Sequence, residues 1–118
     1  MNPEARSTAT DAADRITHQV RLWLPLSDNA GRPFPATLIA QVRAELTDEF
    51  GGVTAFVHSP ALGTWKDDDG DVRRDQMLLF EIIVPSLDRT WWTSYRHRLE
   101  AQFQQEEILM VATAVTCL

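Results

Sequence analysis

Two side chains that can transfer protons lie in strand-like segments of the sequence. Glu81 falls within the apolar run of residues 77–84, where a poorly solvated carboxylate can serve as a general base. His58 closes a run rich in β-branched and aromatic residues, and an imidazole beside a carboxylate forms an oriented acid–base pair. A structural alternative stays open, in which Glu81 reaches solvent or pairs with Arg21 or His58. No nucleophile is placed beside them. Glu81 and His58 are therefore candidate acid–base residues, and the sequence does not identify a complete catalytic site.

The elements that must position these residues follow from hydrophobic periodicity. The pattern predicts strands at 16–24, 53–66, 72–84 and 108–115, with helices at 36–50 and 90–105, the second capped by Thr90. The order strand, helix, strand, strand, helix, strand is that of the ferredoxin-like βαββαβ fold. We therefore expect an α+β domain over residues 16–118, with a four-stranded antiparallel sheet and both helices on one face. Residues 1–15 have no apolar run and are predicted to be a flexible leader.

Asp69-Gly70, between two strand-like runs, predicts a two-residue hairpin turn. That turn would pair Asp68 with Asp71 and, further out, His58 with Glu81. Pro60 and Gly63 interrupt the first strand of the hairpin, so we also expect a bend or bulge there.

One face of the predicted sheet has no helix over it and is nevertheless apolar. By strand alternation it carries Arg21 and Trp23 from the first strand, and Phe56 and Leu79 from the hairpin. Large apolar patches are unusual on monomers and mark interaction surfaces. These four residues are the predicted binding residues, together with Trp91, which begins the second helix beside Trp92 and is expected to be partly exposed.

Composition and motifs exclude several classes of function. The formal net charge is −6, which disfavours nucleic acid and anionic membranes as partners. The three histidines, His18, His58 and His97, have no metal-ligand spacing, and the sequence contains no G-x-G-x-x-G, Walker or G-x-S-x-G motif. Neither a metal nor a cofactor is therefore predicted. A single cysteine, Cys117, gives no sign of an oxidising compartment, so a cytoplasmic location is expected.

Several short motifs resemble those of a group of small, uncharacterised bacterial ferredoxin-like proteins. They are the segments at 20–25, 50–54 and 63–65, followed by Asp69-Gly70 and the apolar strand after it. The resemblance spans about residues 18 to 116. It implies the same fold and a cytoplasmic origin, and it implies no particular activity.

These observations favour a non-catalytic binding or assembly module that acts through the uncovered sheet face. Its partner would be a second copy of the chain or another protein, with a bound small molecule as a further possibility. The alternative is a small cofactor-independent enzyme of the dimeric α/β-barrel type, in which Glu81 and His58 are the acid–base groups.

Overall fold

The computed structural model describes residues 17–66 and 69–118. Its elements, in chain order, are β1 (Thr17–Pro25), α1 (Ala36–Phe50), β2 (Thr54–Lys66), β3 (Val72–Val84), α2 (Arg89–Gln102) and β4 (Met110–Val115). The predicted leader at 1–15 lies outside the described residues. No helix in the described part of the chain is long and apolar enough to cross a membrane.

The four strands form one antiparallel sheet in the order β2-β3-β1-β4. Alternate residues of β1 and β3 are fully buried with residues from both helices in a single core. Both helices therefore cover the same face of the sheet, and the predicted ferredoxin-like fold is confirmed. The core residues of the two central strands are Val20, Leu22, Leu24, Leu78, Phe80, Ile82 and Val84.

The β2–β3 hairpin differs from the predicted register. Lys66 is paired with Val72, whereas a two-residue turn at Asp69-Gly70 would place Lys66 opposite Arg73. The predicted pair of Asp68 with Asp71 lies outside the described residues. Gly70 has a φ of +81°, a conformation that glycine adopts without steric cost. The pairing then shifts between Phe56 and Ala61, which confirms the expected irregularity near Pro60.

Helix α1 has the predicted bounds because its apolar residues recur at helical spacing and a glycine follows the last of them. Val42 and Leu46 are its buried residues. Gly51 has a φ of +81° and donates its backbone N–H to the carbonyl oxygen of Thr47 at 2.7 Å. This left-handed cap ends the helix.

Helix α2 begins one residue earlier than predicted and is capped by Asp88, not by Thr90. The Asp88 carboxylate accepts the backbone N–H of Trp91 at 3.1 Å. An aspartate at this position satisfies an N–H that has no partner within the helix. Thr90 is therefore a residue of the first turn, and the sequence prediction of its capping role was wrong.

An aromatic cluster joins the two helices. Phe50, which ends α1, stacks on Trp92 with ring centroids 5.0 Å apart and nearly parallel planes. Trp91 meets Phe50 edge to face and stacks on Tyr95 at 4.9 Å. Such contacts add to the free energy gained by burying the rings, so the cluster fixes the end of α1 against the first turns of α2.

Candidate functional site

The sheet surface opposite the helices is the candidate functional site, and we call it the open face. Residues of β1, β3 and β4 that alternate with the core positions occupy it. This alternation follows from the two-residue period of a strand. The described side chains of the open face include Gln19, Arg21, Trp23, Met77, Leu79, Glu81, Ile83 and Val111, with Thr54 of β2 opposite Glu81 and Thr113 of β4 opposite Gln19.

The open face carries apolar side chains, and two of them are exposed to solvent. Ile83 is 48% exposed and Val111 is 38% exposed. Trp23 and Leu79 are paired across β1 and β3 and are half-buried. By backbone register Phe56 pairs with Leu79, so its position falls on the same face. The open face therefore joins the Trp23, Leu79 and Phe56 positions in one row across three strands.

Polar side chains form the centre of the open face. Gln19 donates an Nε2 hydrogen to Oε2 of Glu81 at 2.5 Å. The Arg21 Nε lies 4.0 Å from the same oxygen, and the two residues are directly opposed across β1 and β3. The Glu81 side chain is 21% exposed and that of Arg21 is 46% exposed. The result is a carboxylate held in place by two neighbours and still reachable from solvent.

The predicted pairing of His58 with Glu81 is wrong. Thr54 is the β2 residue opposite Glu81, and His58 falls inside the register shift between Phe56 and Ala61. A turn-based register cannot extend through such a shift, because the extra residues move every later pair. The alternative in which Glu81 pairs with Arg21 is the arrangement that the structure has.

Trp91 does not belong to the open face. It is half-buried on α2, where it packs against the core and contacts Phe50, Trp92 and Tyr95. The helix layer and the open face lie on opposite sides of the sheet. Trp91 therefore cannot act together with Trp23 in a single contact surface.

Gln19 is a site residue that the sequence pattern does not identify. Its alternation with Val20 placed it beside Arg21 on the open face, but its contact with Glu81 is diagonal: Gln19 is paired with Ile83. Diagonal neighbours can be identified only when the register between two distant strands is known. Among residues 17–66 and 69–118, no group of three or more His, Cys, Asp or Glu side chains is arranged to hold a metal ion.

Comparison with known proteins gives similarity of fold. No protein-family model matches the chain, and no curated protein sequence matches it. Among solved structures, a phage SAM lyase in complex with S-methyl-5'-thioadenosine is similar, with a TM-score of 0.56 and 12% sequence identity over 86% of this chain and 90% of that chain. The same values hold for a phage SAM lyase in the apo state.

At 12% identity these structures show a shared fold and leave function open. The similarity extends over most of both chains. The resemblance to small bacterial ferredoxin-like proteins stays a prediction beyond the fold itself. What the comparisons establish is that this chain has the α+β fold of the phage SAM lyase structures.

Proposed function

We propose that the chain is an assembly module that binds a second copy of itself through the open face. The observation that carries the proposal is the exposure of Ile83 and Val111 beside Trp23 and Leu79, on a sheet face without a helix layer. Burying such surface is the main favourable term in protein association. An uncovered face of this kind is a typical interaction site.

Charge indicates the surface through which two copies can meet. The chain as a whole carries −6, so two copies repel each other over most of their surfaces. Among the described side chains of the open face there is one cation, Arg21, and one anion, Glu81, and the face is therefore locally neutral. A two-fold axis brings the same patch of two copies together. Arg21 of each copy then comes close to Glu81 of the other.

Oligomeric state in solution tests this proposal. We expect light scattering coupled to size-exclusion chromatography to give a dimer for the unaltered chain, because a single contact about a two-fold axis joins two copies only. Ile83→Glu should shift it to a monomer, because the new carboxylate is desolvated in the contact and lies near Glu81. Val72→Glu is the matched control: Val72 is also in β3 and is 51% exposed, but it lies at the hairpin end.

If the unaltered chain stays monomeric over a wide range of protein concentrations, the proposal is contradicted. Equal dissociation by Val72→Glu and Ile83→Glu would also contradict it, because the effect would then come from added charge and not from the open face. Circular dichroism of each variant confirms that the fold is retained.

A second candidate function is a small enzyme that needs no cofactor. It is favoured by the fold shared with a phage SAM lyase and by the positioned, solvent-accessible carboxylate of Glu81. In this alternative Glu81 handles a proton of the substrate, and His58 remains the other candidate acid–base residue. The substrate class would be that of the neighbour, SAM or a related nucleoside.

Release of S-methyl-5'-thioadenosine from SAM, followed by chromatography, tests this second candidate. We expect Glu81→Gln to abolish the release, because the amide cannot accept a proton as a carboxylate does. Glu49→Gln, a change of an exposed carboxylate on α1, should leave it unaltered. Absence of product with the unaltered chain would remove SAM as the substrate.

A further inference from the structure

A groove lies between α2 and β4, on the helix side of the sheet and apart from the centre of the open face. Its volume is about 250 Å³. Ala112 in its floor is paired with Val20 of the adjacent strand β1. Ala112 is exposed although Val20 is fully buried. The groove exists because Ala112 of β4 is small. At the paired position of β1, the larger side chain of Val20 fills the space below the helices.

One face of α2 forms the wall of the groove and carries two arginines. Arg89, Trp92, Thr93 and Arg96 all line it, and their spacing of three, four and seven residues places them on one side of a helix. Seven residues correspond to a rise of about 10 Å along the helix axis. The two guanidinium groups therefore stand at either end of a wall whose middle is an indole and a hydroxyl.

Within the described part of the chain, Arg89 and Arg96 have no salt bridge. Other arginines do: Arg32 binds Asp28 at 3.1 Å, and Arg98 binds Glu45. Arg43 of α1 has no salt bridge among the described residues either, so what distinguishes Arg89 and Arg96 is that both line the same groove.

The lining defines the chemistry of a ligand. Guanidinium groups bind carboxylates and phosphates through paired hydrogen bonds. Leu87, Met110 and Ala112, which are all at least partly exposed, add apolar contact area, and the Thr93 hydroxyl can donate or accept one hydrogen bond. The volume is below the range of about 300–1,000 Å³ that is typical for drug-sized ligands, and so suits a metabolite.

We propose that the groove between α2 and β4 binds a small organic anion, in which a carboxylate or phosphate group is attached to an apolar body. The acid group binds the guanidinium of Arg89 or of Arg96, one at each end of the groove, and the floor of the groove packs against the apolar body. The groove shares Val111 with the open face, but the two arginines that carry the inference belong to α2 on the helix side of the sheet, so it can be tested separately from self-association.

Titrations with defined probes, followed by backbone and indole N–H signals in NMR spectra, test the proposal. Phenyl phosphate and benzoate represent the two acid groups, inorganic phosphate lacks the apolar body, and phenol lacks the charge. We expect saturable shifts at Trp92 and Ala112 with at least one of the two organic anions. The probe that binds more tightly distinguishes a phosphate ligand from a carboxylate ligand.

The arginines are tested by the double variant Arg89→Gln/Arg96→Gln. We expect it to weaken binding of the organic anion about tenfold or more. Arg43→Gln removes one exposed arginine of α1 and should leave binding within about twofold. All three positions are at least partly exposed, and circular dichroism confirms that the variants fold.

Four outcomes would overturn the proposal. They are absence of saturable shifts, shifts confined to residues outside the groove, unchanged binding by the double variant, and binding of phenol as tight as that of the anions. Inorganic phosphate binding as tightly as phenyl phosphate would overturn the assignment of an apolar body. A monomeric Ile83→Glu variant that still binds the anion separates this inference from self-association.

Discussion

Arg98 of α2 forms a salt bridge with Glu45 of α1 and also lies over the ring of Tyr95, with 4.9 Å from its guanidinium carbon to the ring centroid. One side chain thus links the two helices and covers an aromatic ring of the core.

Replacing Arg98 with alanine is expected to lower the free energy of unfolding by about 0.5–1 kcal/mol. The effect is small because the Arg98 side chain is 52% exposed and solvent screens the pair. Urea unfolding measures it, and a double-mutant cycle with Glu45→Ala isolates the coupling. Arg43→Ala is the control. Equal losses for Arg98→Ala and Arg43→Ala would show that the link between the helices contributes nothing.

Tyr95 is expected to make stability depend on pH in the alkaline range. Burial raises the pKa of its hydroxyl above the ordinary value of 10.0, the Glu45 carboxylate raises that pKa further, and Arg98 offsets part of the rise. The folded chain therefore keeps this proton at pH values where the unfolded chain releases it. The resulting stabilisation is complete below about pH 10 and is lost as the pH rises above that value.

This prediction can be measured directly because Tyr95 is the single tyrosine of the sequence. Tyrosinate absorbance should show a midpoint well above 10 in the folded chain and near 10 in concentrated urea. The free energy of unfolding should fall more steeply above pH 10 for the unaltered chain than for Tyr95→Phe. Identical midpoints in the two states would refute the prediction.

The two faces of β3 are expected to respond differently to truncation. Phe80 is fully buried in the core and its neighbour Leu79 is half-buried on the open face. Phe80→Ala should cost about 3–5 kcal/mol through the cavity that it leaves. Leu79→Ala should cost about 1 kcal/mol in dilute solution. Thermal or urea unfolding measures both changes. If Leu79→Ala lowers the free energy of unfolding as much as Phe80→Ala does, the assignment of the two residues to opposite faces is contradicted.

The start of α2 allows a comparison between its true cap and the residue that the sequence suggested. Asp88→Ala should lower the free energy of unfolding by about 1 kcal/mol, because the N–H of Trp91 loses its acceptor. Thr90→Ala should change it by less than about 0.5 kcal/mol. The reverse order of effects would mean that Thr90 caps the helix in solution.

The sequence predicts those parts of the fold whose signals are local. Helix α1 and strand β3 have the expected bounds because periodicity and end signals coincide, as at Gly51 and Val84. The hairpin register needs more than local information. Residues 57–60 stand opposite the single residue Leu78, and a turn signal near Gly70 cannot indicate how many residues a distant shift absorbs.

The candidate site was predictable to a similar extent. Alternation alone places Arg21, Trp23 and Leu79 on one face, and the salt bridge of Arg21 with Glu81 was one of the arrangements left open. The groove between α2 and β4 was not predictable. The groove requires Arg89 and Arg96 of α2 to lie beside Ala112 of β4. Their proximity follows from the strand order and from the position of α2 on the sheet, and no single segment of the sequence encodes either of these.

The register shift in β2 also has a consequence for the solubility of the folded chain. The strand order makes β2 and β4 the two borders of the sheet, and unpaired border strands are where folded chains recruit foreign strands and aggregate. The irregularity between Phe56 and Ala61 interrupts the row of backbone donors and acceptors along β2. β4 is regular, and its sequence contains neither charge nor proline. Fibrillar growth, if conditions provoke it, is expected to begin along β4.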